Sequence, residues 1–358
     1  MTRGLLVRDL ALERWRAMDR YATELASRVP DLDVPEGWHR LRGPRYLNRY
    51  WRYPQYLRRF RPAFVHIADH SYAHCLSVFP GVPSVVTIHD LHPLHVLAGR
   101  ERGVSASLRD RLLRWTVAWL GRAHRWIAVS DFTAGEAERL AGIPRDRIAV
   151  IPNGVDGIFF KRPSDAAIAE RRRDWAARAG SGDVPFLLHV GSCVPRKNVE
   201  AAVRALGILR RDGVPAALVQ IGGTFGQTHR RAAAEAGVVN ALIQEPFADE
   251  GALVTAYHAA DVLLFPSRYE GFGLPALEAL AAGLPTVTTG AGSLGEVVGD
   301  AAVLVPSGEP ADLAQAVAGL LADGDARARL RERGRERASR FTWDRVAAET
   351  RRVYADIY

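Results

Sequence analysis

The sequence predicts an α/β protein built from two parallel-sheet domains, and three observations carry that prediction. The chain has 358 residues, more than a single hydrophobic core usually organises. Apolar runs of strand length alternate with amphipathic runs of helix length, the pattern of parallel strands joined by crossover helices. The alternation comes in two sets, separated by residues 155–184, a charged stretch without periodicity that ends in SGDVP and reads as a connection. In such folds ligands lie beyond the carboxyl ends of the strands, so the residues just past each strand are where chemistry is sought.

Composition narrows the class. Apolar residues make up 48% and charged residues 25%, an ordinary balance for a globular protein. No apolar run approaches the roughly eighteen residues of a membrane span, and the opening MTRGLLVRDLALERW lacks a signal-peptide core, so a cytoplasmic protein is expected. Cys75 and Cys193 stand far apart in ordinary core patterns and are expected as reduced thiols. The net charge of +8 is unevenly spread: residues 1–155 hold 24 arginines and no lysine against 15 acidic residues, a balance of +9 that leaves the remainder near −1. Lys161 and Lys197 are the only lysines among 48 basic residues. A lysine kept against such a bias suits a compact point charge facing a phosphate.

In the first set, Leu5–Val7 reads as a strand and Leu12–Arg28 as an amphipathic helix. Then follow strand Ala63–Ile67, a helix from about Ser71, strand Ser84–His89, helix Ser105–Leu120, strand Trp126–Val129, a helix from Phe132 and strand Ile148–Ile151. His89, Asp90, Ser130 and Asn153 fall at strand ends. Residues 39–61, HRLRGPRYLNRYWRYPQYLRRFR, contain eight arginines, no acid, and Tyr46, Tyr50, Trp51, Tyr53 and Tyr56. Interleaved aromatics and arginines suit an anionic partner: nucleic acid, an anionic membrane or a phosphorylated acceptor. The plain alternative is a solvated face whose aromatics pack on the core, with the periodicity broken at Pro44 and Pro54.

The second set opens with strand FLLHVGS from Phe186, then CVPRKN, helix Val199–Arg211 and strand Ala216–Ile221. Strand Ala241–Gln244, a helix from Asp249 and strand Asp261–Pro266 follow. They lead into Ser267–Pro285, SRYEGFGLPALEALAAGLP, around which the chain can be arranged. Gly271 and Gly273 let backbone N–H groups approach a ligand, Pro275 is pre-set for the first helical position, and Gly283 lies past the last. The helix start aims unpaired N–H groups and a positive dipole end at the loop, which suits a diphosphate. Glu270 and Glu278 bracket that start. Being repelled by phosphate, they read as acceptors for sugar or ribose hydroxyls. Beyond lie strand Thr286–Thr289, strand Ala301–Pro306, helices Ala311–Leu321 and Asp325–Ser339, and the amphipathic tail FTWDRVAAETRRVY.

At these residues the chain resembles the family-4 retaining glycosyltransferases of the GT-B fold. Their E-x7-E element matches Glu270 and Glu278, and the resemblance covers the second half more fully than the first. It implies that Glu270 sits by the donor sugar, that Glu278 binds the ribose hydroxyls, and that the backbone of Gly271, Phe272, Gly273 and Leu274 holds sugar and diphosphate. Arg196 and Lys197 match the family's R-K pair, which neutralises the departing diphosphate, and Gly191 and Ser192 precede it on the donor side. His89 in SVVTIHD matches the cleft histidine that contacts the donor sugar, and Asn153 with Gly154 matches the signature at the domain junction. One departure stands out. Family members carry a Gly-Gly loop after the first strand, where this chain reads RDLALERWRAMDRYA, leaving Arg14 or Arg16 to substitute through side chains.

The implied architecture is GT-B, two Rossmann-like domains facing a central cleft: residues 1–155 on the acceptor side, a connection at 156–184, a nucleotide-sugar domain at 185–340, and a helix at 341–358 packing back on the first domain. The implied reaction is retaining transfer of a hexose from a nucleotide-sugar donor to a glycan, lipid-linked or small-molecule acceptor. Asp69, His70, Asp90, Ser130 and Asn153 are the acceptor-side candidates. HVGSCVPRKN resembles mannosyl-type members, which favours GDP-mannose over a UDP-sugar. The loops with His66, Asp69, His70 and His74 and with His89, Asp90, His92 and His95 lack H-E-x-x-H or a comparably tight spacing, so neither metal nor other cofactor is expected. Residues 39–61 are the place for peripheral contact with the inner face of an anionic membrane, and no nucleic-acid partner is expected. Two rivals stay open: a nucleotide-sugar 2-epimerase of the same fold, and a non-catalytic basic protein that binds RNA or membrane.

Overall fold

The computed structural model describes residues 3–13, 16–35, 43–98, 107–180, 182, 184–247 and 249–357. The chain divides into two units, one of Met1–Gly154 with Thr342–Tyr358 and one of Val155–Phe341.

The first unit is a six-stranded parallel sheet of β1 (Gly4–Val7), β2 (Leu32–Asp33), β3 (Val65–Ile67), β4 (Ser84–Ile88), β5 (Arg125–Ala128) and β6 (Ile148–Val150), in the order β2-β1-β3-β4-β5-β6. The period of two along each strand divides its apolar residues between two cores. Leu5 and Val7 join Ile67, Val86 and Trp126 on one face, while Leu6 joins Phe64, Val85 and Ile127 on the other. The second face is closed by the last helix, Trp343–Ala355, through Trp343, Val346 and Tyr354. Gly154 is where this return needs a missing side chain: a Cβ there would lie 2.6 Å from the backbone nitrogen of Trp343.

Three local readings change in this unit. The helix expected from Ser71 is a 3-10 segment, His70–Val78, packed against the sheet and the helix Leu108–Leu120, with Tyr72, Ala73 and Cys75 fully buried. Nine residues is long for that conformation, so burial on several sides sets it where propensity would not. The run read as a helix over Leu12–Arg28 starts with a 3-10 turn at Ala11–Glu13 and continues as a helix at Arg16–Arg28; Arg14 lies outside the described residues, and Arg16 is exposed. Ser105 and residues 39–42 are likewise outside them. Residues 45–57 of the arginine-rich segment are helical despite its prolines: Arg45–Leu47, a π-helical turn at Asn48–Arg52, and Tyr53–Leu57. Pro44 stands at the N-cap, and the wide turn ends where Pro54 has no N–H to give.

The second unit is a six-stranded parallel sheet of β7 (Phe186–Val190), β8 (Ala217–Ile221), β9 (Leu242–Glu245), β10 (Val262–Phe265), β11 (Thr286–Thr289) and β12 (Val303–Val305), in the order β12-β11-β10-β7-β8-β9. Helices Val199–Arg211 and Pro310–Ala322 supply Val203, Leu206, Leu313 and Val317 to its core. Within 155–184, where the sequence offers no periodicity, the helix Asp165–Arg178 forms. Its anchor is Trp175, fully buried, whose Nε1 donates to Glu245 Oε1 at 2.7 Å. Arg171 and Arg178 pair with the same carboxylate at 3.2 and 2.8 Å, so the charges that made this stretch look solvated are committed. Helices Gln227–Glu235 and Leu294–Val298 had no sequence-level reading. Strand order changes direction between β7 and β10, and this switch point opens a crevice at the carboxyl edge.

Candidate active site

The site residues read from the sequence fall into two groups, one in each unit. In the second unit the loop after β7 carries Gly191, Ser192, Arg196 and Lys197, and the loop after β10 carries Glu270 through Leu274, so the two groups flank the switch point. Gly191 has φ +140° and takes part in two backbone bonds, its N–H to the Ile221 carbonyl at 2.9 Å and its carbonyl accepting from Gln220 Nε2 at 2.7 Å. Ser192 beyond it is exposed. Pro195–Lys197 is a 3-10 turn that ends at Asn198 in the left-handed region, φ 54°. Asn198 is held there by donating to the Gly308 carbonyl at 3.1 Å.

That turn delivers Lys197 into the crevice. Its Nζ lies 2.5 Å from Glu270 Oε1 and 5.0 Å from the centre of the Phe265 ring. Lys197 and Glu270 are 8% and 5% exposed, so their pairing is strengthened by low dielectric and offsets the desolvation of both. Glu270 also accepts from Ser267 Oγ at 2.7 Å and faces Arg196 Nη1 at 3.5 Å. Its backbone is fixed too, the carbonyl accepting from Ser293 N at 3.1 Å, and a Cβ on Gly292 would come within 2.2 Å of that carbonyl oxygen. Ser267 is in turn gripped by Thr289 Oγ1, which donates to its carbonyl at 2.5 Å.

Helix Leu274–Ala282 begins behind Gly273 in the left-handed region, φ 94°, with Pro275 in its first turn and Gly283 closing it at φ 72°. Gly271, Phe272 and Gly273 are buried, and no side chain caps the helix start, so its first N–H groups face the loop. Glu278, one turn further in and 7% exposed, accepts from Tyr257 OH at 2.9 Å. Beneath the β7 loop His189 is fully buried. Burial, with the Lys197 charge adding to it, pushes its imidazole down to about 3, so it stays neutral. A cavity of about 520 Å³ opens at the carboxyl ends of β10, β11 and β12, lined in part by Ser267, Arg268, Thr289 and Gly308.

In the first unit, the acceptor-side candidates gather past the sheet, and several already hold local structure. Asp69 caps the 3-10 segment by accepting from Ser71 N at 2.6 Å and has His70 Nδ1 at 3.2 Å. Burial raises its carboxyl, but the His70 and His89 charges outweigh that and hold it below the usual range. Asp90 accepts from His92 N at 3.2 Å, and Ser130 caps helix Asp131–Ala141 by accepting from Thr133 N at 3.0 Å. Asn153 is buried. His89, 6% exposed, sets Nε2 on the Ala68 carbonyl at 2.9 Å and meets the Tyr21 ring edge-on at 4.8 Å.

Two histidines of the loops leave the site. His66 is fully buried between Tyr354 OH at 2.6 Å and Thr87 Oγ1 at 2.8 Å, and His74 bonds the Arg49 carbonyl at 2.9 Å. Burial pushes both down to about 3. Among the described residues no group of three or more His, Cys, Asp or Glu could hold a metal ion. Sequence reasoning missed Ser267, Tyr257 and Asp9. Ser267 was inside the central stretch and three residues from Glu270, a spacing that could have flagged it. Asp9 lies just past β1, where the strand-end rule applied to His89 would have found it. Nothing in the local sequence marks Tyr257.

Comparison with known proteins shows the family and the fold. The family described as "Glycosyl transferases group 1" matches residues 170–337, and "Glycosyltransferase Family 4" matches residues 10–157. A glycogen synthase of Mycobacterium tuberculosis (strain ATCC 25618 / H37Rv) is 35% identical over 305 residues, covering 83% of this chain and 69% of that protein. A D-inositol 3-phosphate glycosyltransferase of Acidothermus cellulolyticus is 34% identical over 288 residues, covering 77% of this chain and 62% of that one. Among solved structures, Anabaena Alr3699/HepE in complex with UDP and glucose matches at TM-score 0.78, with 18% identity over 99% of this chain and 100% of that one. Sucrose-phosphate synthase from Thermosynechococcus elongatus matches at 0.75, with 20% identity over 99% and 98%. At such identity the structural likeness speaks for the fold, which is GT-B. The chain belongs to the family-4 glycosyltransferases. It is a transferase enzyme.

Proposed function

We propose that the protein transfers a hexose with retention from a nucleoside-diphosphate sugar to a hydroxyl acceptor. The observation that carries the reading is the meeting of Lys197 and Glu270 across the switch point at 2.5 Å, beside an uncapped helix start. As the bond from the sugar to the diphosphate breaks, negative charge grows on the leaving oxygen. Arg196, Lys197 and the N–H groups at Leu274 answer it, and electrostatic help of this kind acts where charge develops. Glu270 holds the sugar hydroxyls and Glu278 the ribose. The leaving phosphate takes the proton of the attacking hydroxyl on the same face. No step calls for a metal or other cofactor.

Two donors have support: the resemblance of HVGSCVPRKN favours GDP-mannose, and the UDP in the HepE crystal favours a UDP-sugar. A thermal-shift series with UDP, GDP and their hexose conjugates decides between them, since a ligand of the folded state raises the melting point by mass action. No shift with any of them would sink the reading, and conversion of the donor alone to its 2-epimer would replace transfer by epimerisation.

The protein is cytoplasmic in this reading and touches the anionic inner leaflet through the described part of residues 39–61. Tyr46, Leu47 and Trp51 are 49%, 40% and 58% exposed beside the exposed Arg58 and Arg59. Among the described residues no helix is long and apolar enough to cross a membrane.

A further inference from the structure

Thr87 in β4 and His89 just past its end stand two residues apart, so both side chains leave the same face of the sheet. Tyr21, from the helix Arg16–Arg28, lies across the pair. Its hydroxyl is 2.9 Å from Thr87 Oγ1, and its ring meets the His89 imidazole edge-on at 4.8 Å and 81°. Thr87 Oγ1 is also 2.8 Å from His66 Nε2, and His66 Nδ1 is 2.6 Å from the hydroxyl of Tyr354 on the last helix. Tyr21, His66, Thr87 and Tyr354 are all buried. A chain of hydrogen bonds therefore crosses the core from the last helix to the ring that touches His89. Burial keeps His66 neutral, so it donates at one nitrogen and accepts at the other, which is what the middle of such a chain requires. His89 itself is pinned at one atom: the Ala68 carbonyl accepts from its Nε2 at 2.9 Å, and its buried Nδ1 has no hydrogen-bond partner among the described residues. A single hydrogen bond leaves the plane of the imidazole unfixed, and the edge-on contact with Tyr21 fixes it.

We propose that Tyr21 is a positioning residue for His89, setting the plane of its imidazole through a ring contact that the Thr87–His66–Tyr354 chain anchors. The proposal rests on the glycosyl-transfer reading and on the resemblance that gives His89 the donor sugar as its contact. Phenylalanine would fill the same apolar space without burying a hydroxyl, so what the tyrosine adds is the anchor: it fixes how far along β4 the ring sits. The effect on rate exceeds the energy of the contact, because a small displacement of a group that meets the substrate is costly in the transition state.

The test is Tyr21→Phe in the full chain, which keeps the ring and cuts the chain, read in two ways. In imidazole nitrogen NMR spectra, with His89 assigned by the signals missing from His89→Ala, wild type is expected to show His89 as one tautomer with the proton on Nε2. Tyr21→Phe is expected to move those shifts toward an average of the two tautomers, as the ring swings off the Ala68 carbonyl. In assays of nucleoside diphosphate released from UDP-glucose and from GDP-mannose in water, Tyr21→Phe is expected to lower kcat roughly tenfold with KM held within about twofold. In the His89→Ala background the same substitution is expected to change kcat by less than about twofold, because it acts through the missing ring. Unmoved His89 shifts, wild-type kcat in Tyr21→Phe, or an equal loss with and without His89 would each overturn the proposal, the last by making Tyr21 structural only. Should Tyr21→Phe fail to fold, Thr87→Val cuts the same link from β4 and carries the same expectations. Where turnover is too slow to compare, the NMR result decides. The two readings fail separately: no UDP or GDP bound in the thermal-shift series removes transfer, whereas a displaced His89 ring with unchanged kcat removes this role and leaves transfer standing.

Discussion

Lys197 and Glu270 neutralise each other in this structure, and a diphosphate entering the crevice gives the lysine a second anion to serve. That charge grows as the bond to the leaving group breaks, so Lys197→Ala is expected to lower kcat far more than it weakens donor binding, by about 2–4 kcal/mol in the barrier. Glu270 keeps Ser267 and Arg196 as partners in the variant, so the loop should stay folded. Activity near wild type with every donor that binds would remove Lys197 from the mechanism. The two carboxylates are expected to separate kinetically. Glu278→Ala should raise the donor KM, because ribose is held alike before and during transfer, whereas Glu270→Ala should act on kcat. Identical signatures would undo that division. Transfer is also expected to persist in excess chelator, measured as product formed from donor and acceptor; activity lost to chelator and restored by a divalent ion would contradict the metal-free reading. At this scale the sequence made the charged members of the site legible, because lysine is scarce in this chain and two glycines, a proline and two glutamates share one short run. Tyr257 was not legible: its partner Glu278 lies on a different helix, and only the fold brings them together.

At the scale of elements, most strands were legible because both sheets are parallel and buried, which makes their strands near-continuous apolar runs. What misled was arginine. In Asp165–Arg178 three of the charges that hid the helix join Trp175 on Glu245 and Asp261 of the second unit. In the segment Arg45–Leu57, Arg49 is buried, holding Glu13 and lying 4.5 Å from the Tyr72 ring centre, so an acid-free run in sequence finds its acid from elsewhere in the fold. The segment therefore splits into a structural arginine and an outer face. For the outer face, co-sedimentation with anionic vesicles at low salt is expected to fall when Arg52, Arg58 and Arg59 are changed to Gln. About 1 kcal/mol per basic residue near an anionic leaflet makes the loss more than roughly a hundredfold in partitioning. High salt should erase the difference by screening, and neutral vesicles should never show it. Equal partitioning of wild type and variant would return the face to an ordinary solvated surface, with Arg49 still needed for folding.

At the scale of the whole molecule, the buried histidines link stability to pH. His66 and His74 in the first unit and His189 in the second are each pushed down to about 3 from an ordinary value of 6.5, chiefly by burial. The unfolded chain binds these protons as pH falls through about 6.5 and the folded chain does not, so stability is full above that value and drains away toward pH 3. Each group can cost about 2 kcal/mol between pH 6.5 and 5. Asp69, held low, works in the same direction only at more acid pH, below the ordinary carboxylate value. Asp9 opposes the trend, because a raised carboxyl is protonated in the fold first and favours the folded state as pH falls. Three imidazoles against one carboxyl leave the net sign clear: the melting temperature is expected to drop steadily from pH 7.5 to 5, with His189→Gln and His74→Gln each flattening the slope whatever they do to stability at neutral pH. A slope untouched by both substitutions would mean that these rings titrate as freely in the folded protein as out of it, and the burial argument for their neutrality would fail.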